Sequence, residues 1–168
     1  MNKKSLNILL IEDSSTDAFT IKDALNRYAD APNCSHAETF AQGEKILQEG
    51  NIDLVFLDLG LPDTSSPEDT YKEAKKWTHK LPIVVLTHVE DHELARVMVQ
   101  EGIADFLHKD MIIKYPQRIK EAIDFALERH TMRRKIADEK EALRKESEKK
   151  DAVLNCFMGG YSIDSDNS

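Results

Sequence analysis

Basic residues are scarce in this sequence relative to acidic ones. Its 168 residues include 23 Lys and Arg against 31 Asp and Glu, which gives a formal net charge of −8. A protein that neutralises phosphates needs clustered positive charge, so we expect no nucleic-acid-binding surface. The basic cluster at residues 133–135 fits the solvated face of a helix.

Cysteines and long apolar runs are scarce as well. Cys34 and Cys156 match no metal-ligand spacing, which indicates free thiols in a reducing compartment rather than a disulfide framework. The apolar stretch 6–11 stops at two acidic residues, so it predicts a strand and not a signal peptide. No segment approaches the roughly 18 consecutive apolar residues of a membrane span. We therefore expect a soluble, cytoplasmic protein without membrane contacts.

Short apolar runs alternate with amphipathic patterns through residue 125. Strands are predicted at 6–11, 54–57 and 83–86, with weaker candidates at 35–37 and 104–107. Helices are predicted after Ser14 and Asp91 and over 44–49 and 68–77. Because parallel neighbours need crossover connections, this alternation predicts a doubly wound α/β fold with a five-stranded parallel sheet.

From Tyr115 onward the pattern is helical, and no Gly or Pro interrupts it between Glu128 and Gly159. We predict a domain over 1–127, an extended helix over 128–156 and a disordered tail over 157–168. Apolar residues form a heptad-like seam that charged residues interrupt: Met132, Ile136, Leu143 and Val153, with Glu139, Glu146 and Lys150 between them. The sequence leaves open whether this segment is a homodimeric coiled coil or a solvated linker helix.

Polar residues follow the predicted strands. Glu12 and Asp13 follow the first strand, Asp58 the third, Thr87 the fourth and Lys109 the fifth. These ends converge at one edge of a doubly wound sheet. Two like charges about 4 Å apart cost about 4 kcal/mol at an effective dielectric near 20, so three carboxylates there need a cation. Mg²⁺, which combines one or two carboxylates with a carbonyl, waters and a phosphate oxygen, fits best.

A phosphoryl group is the partner that this arrangement lacks. The Lys109 ammonium and the Thr87 hydroxyl suit phosphoryl oxygens. Between them and the metal, Asp58 could attack an incoming phosphoryl group in line and keep it as an acyl phosphate. The sequence therefore predicts Asp58 as a nucleophile and phosphoacceptor.

Four motifs resemble the receiver domain of two-component response regulators, across about residues 5–127. They are IEDS at 11–14, FLDLGLPD at 56–63, VVLTH at 84–88 and ADFLHKD at 104–110. The resemblance implies a flavodoxin-like, CheY-like fold with Asp58 as phosphoacceptor. It also implies a Mg²⁺ site made by Asp13, Asp58 and the Gly60 carbonyl, with Glu12 acting through water.

The same resemblance implies a switch and partners. Thr87 and Lys109 would engage the phosphoryl group, and Phe106 would rotate into the space that Thr87 leaves. The donor would be a histidine kinase or a phosphotransfer protein, and a downstream protein would bind the switched surface. We expect no enzyme activity beyond Mg²⁺-dependent self-phosphorylation and self-dephosphorylation.

Three features depart from the family's usual pattern. His88 follows Thr87 where a small residue is usual, which would slow access by donors or water. Asp110 replaces the usual proline after Lys109, which weakens the case for a cis peptide there, since non-proline cis bonds cost about 2.5–4 kcal/mol. The loop at 63–67 lacks the usual glycine.

Other functions remain open. A haloacid-dehalogenase-type phosphohydrolase would need a DxDx[TV] motif, which neither acidic strand end supplies. A receiver-like scaffold that is not phosphorylated is a second alternative, and the N-terminal part of a longer signalling protein is a third. His88 and His92 hint at a metal pair, but ordinary loop residues are favoured, and His130 is expected to face solvent.

Overall fold

The computed structural model describes residues 5–29, 31–88 and 92–159, except for the side chains of residues 92–95. The chain divides into two compact units, 1–130 and 131–168. The first unit contains the sheet and the predicted site residues. The described part of the second unit is a single stretch of helix.

In the part of the chain that the structure describes, five strands form one parallel sheet: β1 (Asn7–Ile11), β2 (Asn33–Ala37), β3 (Leu54–Asp58), β4 (Ile83–Thr87) and β5 (Asp105–His108). The strand order is β2-β1-β3-β4-β5, which confirms the doubly wound fold. Because β2 and β3 lie on opposite sides of β1, the chain changes direction there. A crevice therefore opens at the carboxyl ends of β1 and β3, where ligands bind in folds of this kind.

Within the described residues, six helices accompany these strands: α1 (Ser15–Tyr28), α2 (Phe40–Glu49), α3 (Pro67–Lys75), α4 (His92–Glu101), α5 (Lys109–Lys114) and α6 (Arg118–Gly159). The side chains of Ser14, Thr39 and Ser66 cap the first three, each accepting a hydrogen bond from a backbone N–H three residues later. The predicted start of the fourth helix at Asp91 lies outside the described residues.

Successive apolar residues along each strand point to opposite faces of the sheet. Ile8, Leu10 and Phe56 belong to a buried cluster with residues of α1, α5 and α6. Leu9 and Leu57 belong to the other buried cluster, with residues of α2, α3 and α4. Both faces of β1 and β3 are thus covered, which leaves the strand ends as the exposed edge where side chains meet a ligand.

The short helix α5 differs from the sequence expectation. We predicted one helix from Tyr115 onward, but a separate helix begins at Lys109, directly after β5. It ends at Lys114, and the next residue, Tyr115, precedes Pro116 and has a φ of −138°. A residue before proline is disfavoured in the helical region, so the chain breaks there before α6 begins.

The carboxyl-terminal part of α6 is exposed. Every described residue from Arg134 to Met158 is solvent-exposed, and the helix continues to Gly159, past the predicted start of the tail at residue 157. Residues 160–168 of the predicted disordered tail lie outside the described residues. His130, predicted to face solvent, is half-buried. Among the described residues, we find no helix that combines the length and the apolar character needed to cross a membrane.

Candidate functional site

Three carboxylates meet at the carboxyl edge of the sheet. Glu12 and Asp13 follow β1, and Asp58 ends the neighbouring strand β3. One carboxylate oxygen from each lies within 4.8 Å of the other two. Glu12 is fully buried, Asp58 is partly buried and Asp13 is exposed, so the cluster opens to solvent on the Asp13 side. Such oxygen ligands suit a hard divalent cation.

Lys109 lies at the centre of these acidic groups. Its Nζ atom is 2.7 Å from Oε2 of Glu12, 3.1 Å from Oδ2 of Asp17 and 3.2 Å from Oδ2 of Asp58. Burial lowers the pKa of Lys109, but the contact with Glu12, the charge of Asp58 and the hydrogen bond to Asp17 outweigh burial and raise this pKa above its ordinary value. Lys109 is therefore a permanent cation in the site.

Glu12 is the most strongly desolvated of these carboxylates. Burial and the nearby charge of Asp58 raise its pKa above the ordinary value, although Lys109 opposes this rise. Its Oε1 atom accepts a hydrogen bond from the Ser14 backbone N–H at 3.1 Å. The contact of its Oε2 atom with Lys109 has the distance of an ion pair but not the geometry of a hydrogen bond. This buried oxygen keeps an acceptor position for a metal-bound water, so the residues present fit a cation.

Asp17, in the first turn of α1, is a site residue that sequence reasoning missed. The structure places its carboxylate against both Lys109 and His88. Partial burial raises the pKa of Asp17, but hydrogen bonds from Lys109 and His88 more than compensate and hold this pKa below its ordinary value. No local sequence signal points to this role, because Asp17 lies on α1 and the contact depends on how that helix packs against the sheet.

A polar chain continues outward from Asp17. The Nε2 atom of His88 lies 3.2 Å from Oδ2 of Asp17, and its Nδ1 atom lies 3.7 Å from Oδ1 of Asp110. Nε2 of His108 donates a hydrogen bond to the His88 carbonyl at 2.9 Å. Two residues that depart from the family's pattern, His88 and Asp110, thus face each other beside the site. The peptide between Lys109 and Asp110 is trans.

The loop after Asp58 is held by its own polar residues. The Gly60 backbone N–H donates to Oδ1 of Asp58 at 3.3 Å, which places this glycine beside the carboxylate. The Asp63 carboxylate accepts from the two backbone N–H groups that begin α2, both at 2.9 Å. The buried Thr70 hydroxyl donates to the Leu59 carbonyl at 2.8 Å. These bonds fix the loop although it lacks the glycine that the family usually has.

Thr87 and Phe106 occupy different parts of the site region. Asp58 pairs in register with Leu86, so Thr87 lies one residue beyond Asp58 on the adjacent strand and is half-buried. Phe106 pairs with Val85, two residues before Thr87, and packs half-buried against the apolar cluster under α2, α3 and α4. The structure brings Thr87 to the edge of the site and leaves Phe106 beneath that edge. The side chain of His92 lies outside the described residues.

Comparisons with known proteins agree with this geometry. The family model of the response regulator receiver domain matches residues 8–124. The "Probable C4-dicarboxylate response regulator DctR" of Bacillus subtilis (strain 168) is 26% identical over 155 residues, which cover 92% of this chain. The chain spans 64% of the length of that protein.

Solved structures give the same result. A response regulator receiver domain protein from Clostridium thermocellum is 29% identical, with a TM-score of 0.63, over 76% of this chain and 98% of its own. A signal receiver domain from Vibrio parahaemolyticus is 25% identical, with a TM-score of 0.64, over 79% of this chain and 97% of its own. The family match extends from β1 into α6 and so includes every element that carries a site residue. The resemblance is therefore confirmed, and the chain belongs to the family of response regulator receiver domains of two-component systems.

Proposed function

We propose that this receiver accepts a phosphoryl group on Asp58 from a phosphohistidine donor, and that phosphorylation changes the surface that a downstream protein binds. The observation that carries the proposal is the position of Asp58. Its carboxylate lies 3.2 Å from the buried Lys109 ammonium and forms a cluster with two further carboxylates at the open edge of the sheet. A nucleophile, a fixed cation and a set of metal ligands are thus together.

Mg²⁺ is the proposed cofactor, held by Asp13 and Asp58, with the Gly60 carbonyl as a third ligand and Glu12 acting through water. The support is the donor set, which is all oxygen, and the open acceptor position on the buried Oε2 atom of Glu12. When bound, Mg²⁺ neutralises part of the negative charge that gathers between the carboxylate and the phosphoryl group.

The transfer itself needs little from the protein beyond position and charge. An oxygen of Asp58 forms a bond to phosphorus while the bond between phosphorus and the donor's imidazole nitrogen breaks, and the bonding electrons leave with that nitrogen. Lys109 and the Thr87 hydroxyl stabilise the transferred phosphoryl oxygens. To do so, Lys109 exchanges its contacts with Asp17 and Asp58 for one with the phosphoryl group. We propose no catalysis on other substrates. Attack by water on phosphorus breaks the bond to the Asp58 oxygen, releases inorganic phosphate and returns Asp58 to its carboxylate.

The proposed readout passes through β4 and β5. A phosphoryl group adds about two negative charges, which draw the Thr87 hydroxyl toward it. Phe106 is half-buried one strand away, so it has apolar surface to bury when space opens behind Thr87. The changed surface of α4, β5 and the following helices would then bind the downstream partner.

The experiment uses the full chain with acetyl phosphate and Mg²⁺, analysed by intact-protein mass spectrometry. We expect the mass of one added phosphoryl group in the native protein, and none in Asp58→Asn or when Mg²⁺ is chelated. Asp23→Asn is the matched control, because Asp23 lies on the exposed side of α1 and pairs with Arg27. This variant is expected to gain the phosphoryl group as the native protein does.

A scaffold that is not phosphorylated is the second candidate function. It is favoured by the contact of His88 with Asp17, which puts an imidazole beside the site. Beryllofluoride, which imitates a phosphoryl group without needing transfer, separates the two functions. If acetyl phosphate fails to phosphorylate the native protein and beryllofluoride fails to bind it, the scaffold is supported. Phosphorylation of Asp58→Asn to the same extent as the native protein would exclude Asp58 as the acceptor.

A further inference from the structure

The helix of the second unit carries an apolar seam that the described residues leave exposed. We define the seam as the positions spaced alternately by three and four residues along α6: Met132, Ile136, Glu139, Leu143, Glu146, Lys150, Val153 and Phe157. The five apolar members are each between 55% and 75% exposed. Such spacing aligns these side chains along one side of the helix, as in coiled coils.

A parallel, in-register pair of these helices would set like charges against each other. Each seam residue would then face its own copy, so Glu139, Glu146 and Lys150 would each meet an identical charge. Lys135 would also lie beside the partner's Lys140 at the edge of the seam. Juxtaposed like charges are destabilising, particularly where the neighbouring apolar residues exclude water.

An antiparallel pair avoids these repulsions. In an antiparallel pair, seam positions followed by a three-residue step face seam positions followed by a four-residue step. In one register, opposite charges face each other and most apolar residues face apolar residues. In this register Lys150 faces the partner's Glu139, Val153 faces Ile136 and Phe157 faces Met132. The remaining layer places Leu143 beside Glu146, whose carboxylate already forms an ion pair with Lys150 of its own helix at 2.8 Å.

The residues that flank the seam agree with the same register. Lys140 falls beside the partner's Ser147, Lys149 beside Ala142 and Lys135 beside Cys156, so no two lysines meet across the pair. The centre of symmetry lies between residues 144 and 145. Residues 131 to 158 therefore overlap completely, and about 42 Å of helix is paired at 1.5 Å per residue. The complementary register thus uses the described helix of the second unit almost end to end.

We propose that residues 131–158 bind a second copy of this chain as an antiparallel helix pair, with Lys150 facing the partner's Glu139. The occupant of the exposed seam is thereby a second copy, selected by charge complementarity. The charged layers lower the affinity but fix the register and the direction of the helices. The proposal does not depend on phosphorylation of Asp58, so either can fail without the other.

The native Cys156 provides a direct test of direction. In a Cys34→Ser variant, Cys156 is the single thiol, and a nitroxide label there reports the distance between two copies by pulsed electron resonance. In the antiparallel pair residue 156 lies level with the partner's residue 133, so we expect a separation of about 35 Å along the helix axis. A parallel pair would hold the labels at one level, with about 10 Å between helix axes.

A second label position keeps this test decisive. Lys145→Cys, in a chain without the native cysteines, places the label next to the centre of symmetry. We expect a short distance there together with the long distance at Cys156. Short distances at both positions would overturn the antiparallel arrangement, and the absence of any dipolar signal at millimolar protein would overturn self-association.

Charge exchange tests the proposed contact independently. Glu139→Lys places two lysines against each other in the antiparallel register, so we expect the dissociation constant of the dimer to rise at least about tenfold in sedimentation equilibrium. Adding Lys150→Glu to the same chain restores opposite charges and should restore affinity. Glu141→Lys, on the outer side of the helix, is the control and should leave the dissociation constant unchanged.

The parallel arrangement gives a different result in the same experiment. There Glu139→Lys replaces a pair of glutamates by a pair of lysines, and the dissociation constant would stay the same. A Glu139→Lys variant that dimerises as tightly as the native chain, or a double variant that fails to recover, would overturn the proposal.

Discussion

At the scale of single residues, Asp17 is the group that would compete with a phosphoryl group for Lys109 under the proposed function. The lysine ammonium donates to Asp17 at 3.1 Å and also lies 3.2 Å from Asp58. His88 contacts the same oxygen of Asp17 from the other side. If Lys109 moves to a phosphoryl group, His88 remains as a partner for Asp17. The side chain that departs from the family's pattern can therefore lower the cost of releasing Lys109.

Asp17 should stabilise the fold over a defined pH range. We expect Asp17→Asn to lower the free energy of unfolding at pH 7 by about 1–2 kcal/mol, because it removes a charge-assisted hydrogen bond to Lys109. The pKa of Asp17 is depressed in the folded state, so its stabilisation is complete above the ordinary value of 3.8 and is lost as pH falls through the folded-state pKa. The difference between variant and native protein should therefore shrink below pH 3.8.

Urea denaturation across this pH range measures the effect of Asp17. Asp23→Asn serves as the control, since Asp23 forms an exposed i,i+4 pair with Arg27 that is worth about 0.3–0.5 kcal/mol. A loss in Asp17→Asn no greater than that of the control would show that the contact with Lys109 contributes little.

The carboxylate cluster should couple folding to divalent cations. At a Mg²⁺ concentration tenfold above its dissociation constant, we expect the free energy of unfolding to rise by about 1.4 kcal/mol. Asp13→Asn removes one of the proposed ligands and should lose most of this gain, whereas Asp23→Asn should keep it. Thermal unfolding with and without a chelator measures both, and a gain that survives in Asp13→Asn would place the cation elsewhere.

Much of this site could be predicted because it lies at strand ends. Glu12, Asp13, Asp58 and Lys109 each follow an apolar run, and a parallel sheet brings such positions together whatever the helices do. Asp17 could not be predicted in the same way. It lies on α1, and its meeting with Lys109 and His88 depends on how that helix packs against the sheet, which the local sequence does not encode.

At the scale of elements, the approach of α2 to β1 depends on Gly43. A Cβ atom built at Gly43 would lie 2.4 Å from Cδ1 of Ile11 and 2.9 Å from its Cγ1. Ile11 is buried between the sheet and α2 and has little room to move. The glycine thus lets the helix lie close to the strand that leads directly into Glu12.

Gly43→Ala should therefore destabilise the protein, although alanine is more favourable than glycine within a helix by about 1 kcal/mol. Overpacking of a full core costs about 1–3 kcal/mol, so we expect a net loss in the free energy of unfolding. Adding Ile11→Val removes the Cδ1 atom that the new methyl group meets and should restore part of the loss. A Gly43→Ala variant more stable than the native protein in urea denaturation would contradict this account.

The elements differ in how far local sequence determines them. β1, β3 and β4 are continuous apolar runs, and their burial on both faces follows from that composition. β2 reads NCSHA and carries little local signal, since exposed and partly buried residues alternate along it at the edge of the sheet. The helix α5 was not predicted, because residues 109–114 are too few for a periodic pattern to be recognised.

At the scale of the whole molecule, the end of the folded receiver unit depends on Arg129. Its Nη1 atom donates to the Ala104 carbonyl at 2.6 Å and lies 3.8 Å from a carboxylate oxygen of Asp105. These contacts connect α6 to the start of β5. The sequence predicted the end of the domain at residue 127, where the regular apolar face of the helix stops. The contacts of Arg129 extend beyond that point, and the two units divide after His130.

Truncation distinguishes these two boundaries. A chain that ends at Arg133 should keep the stability of the full chain at protein concentrations where both are monomeric, because residues 134–158 are solvent-exposed. A chain that ends at Leu127 loses Arg129 and leaves the Ala104 carbonyl without that donor. Its free energy of unfolding should fall by about 1–2 kcal/mol, as expected for the loss of a charged hydrogen-bond donor. Arg129→Gln in the longer chain should reproduce most of that fall if the guanidinium is responsible, and denaturation of the three chains in parallel measures it.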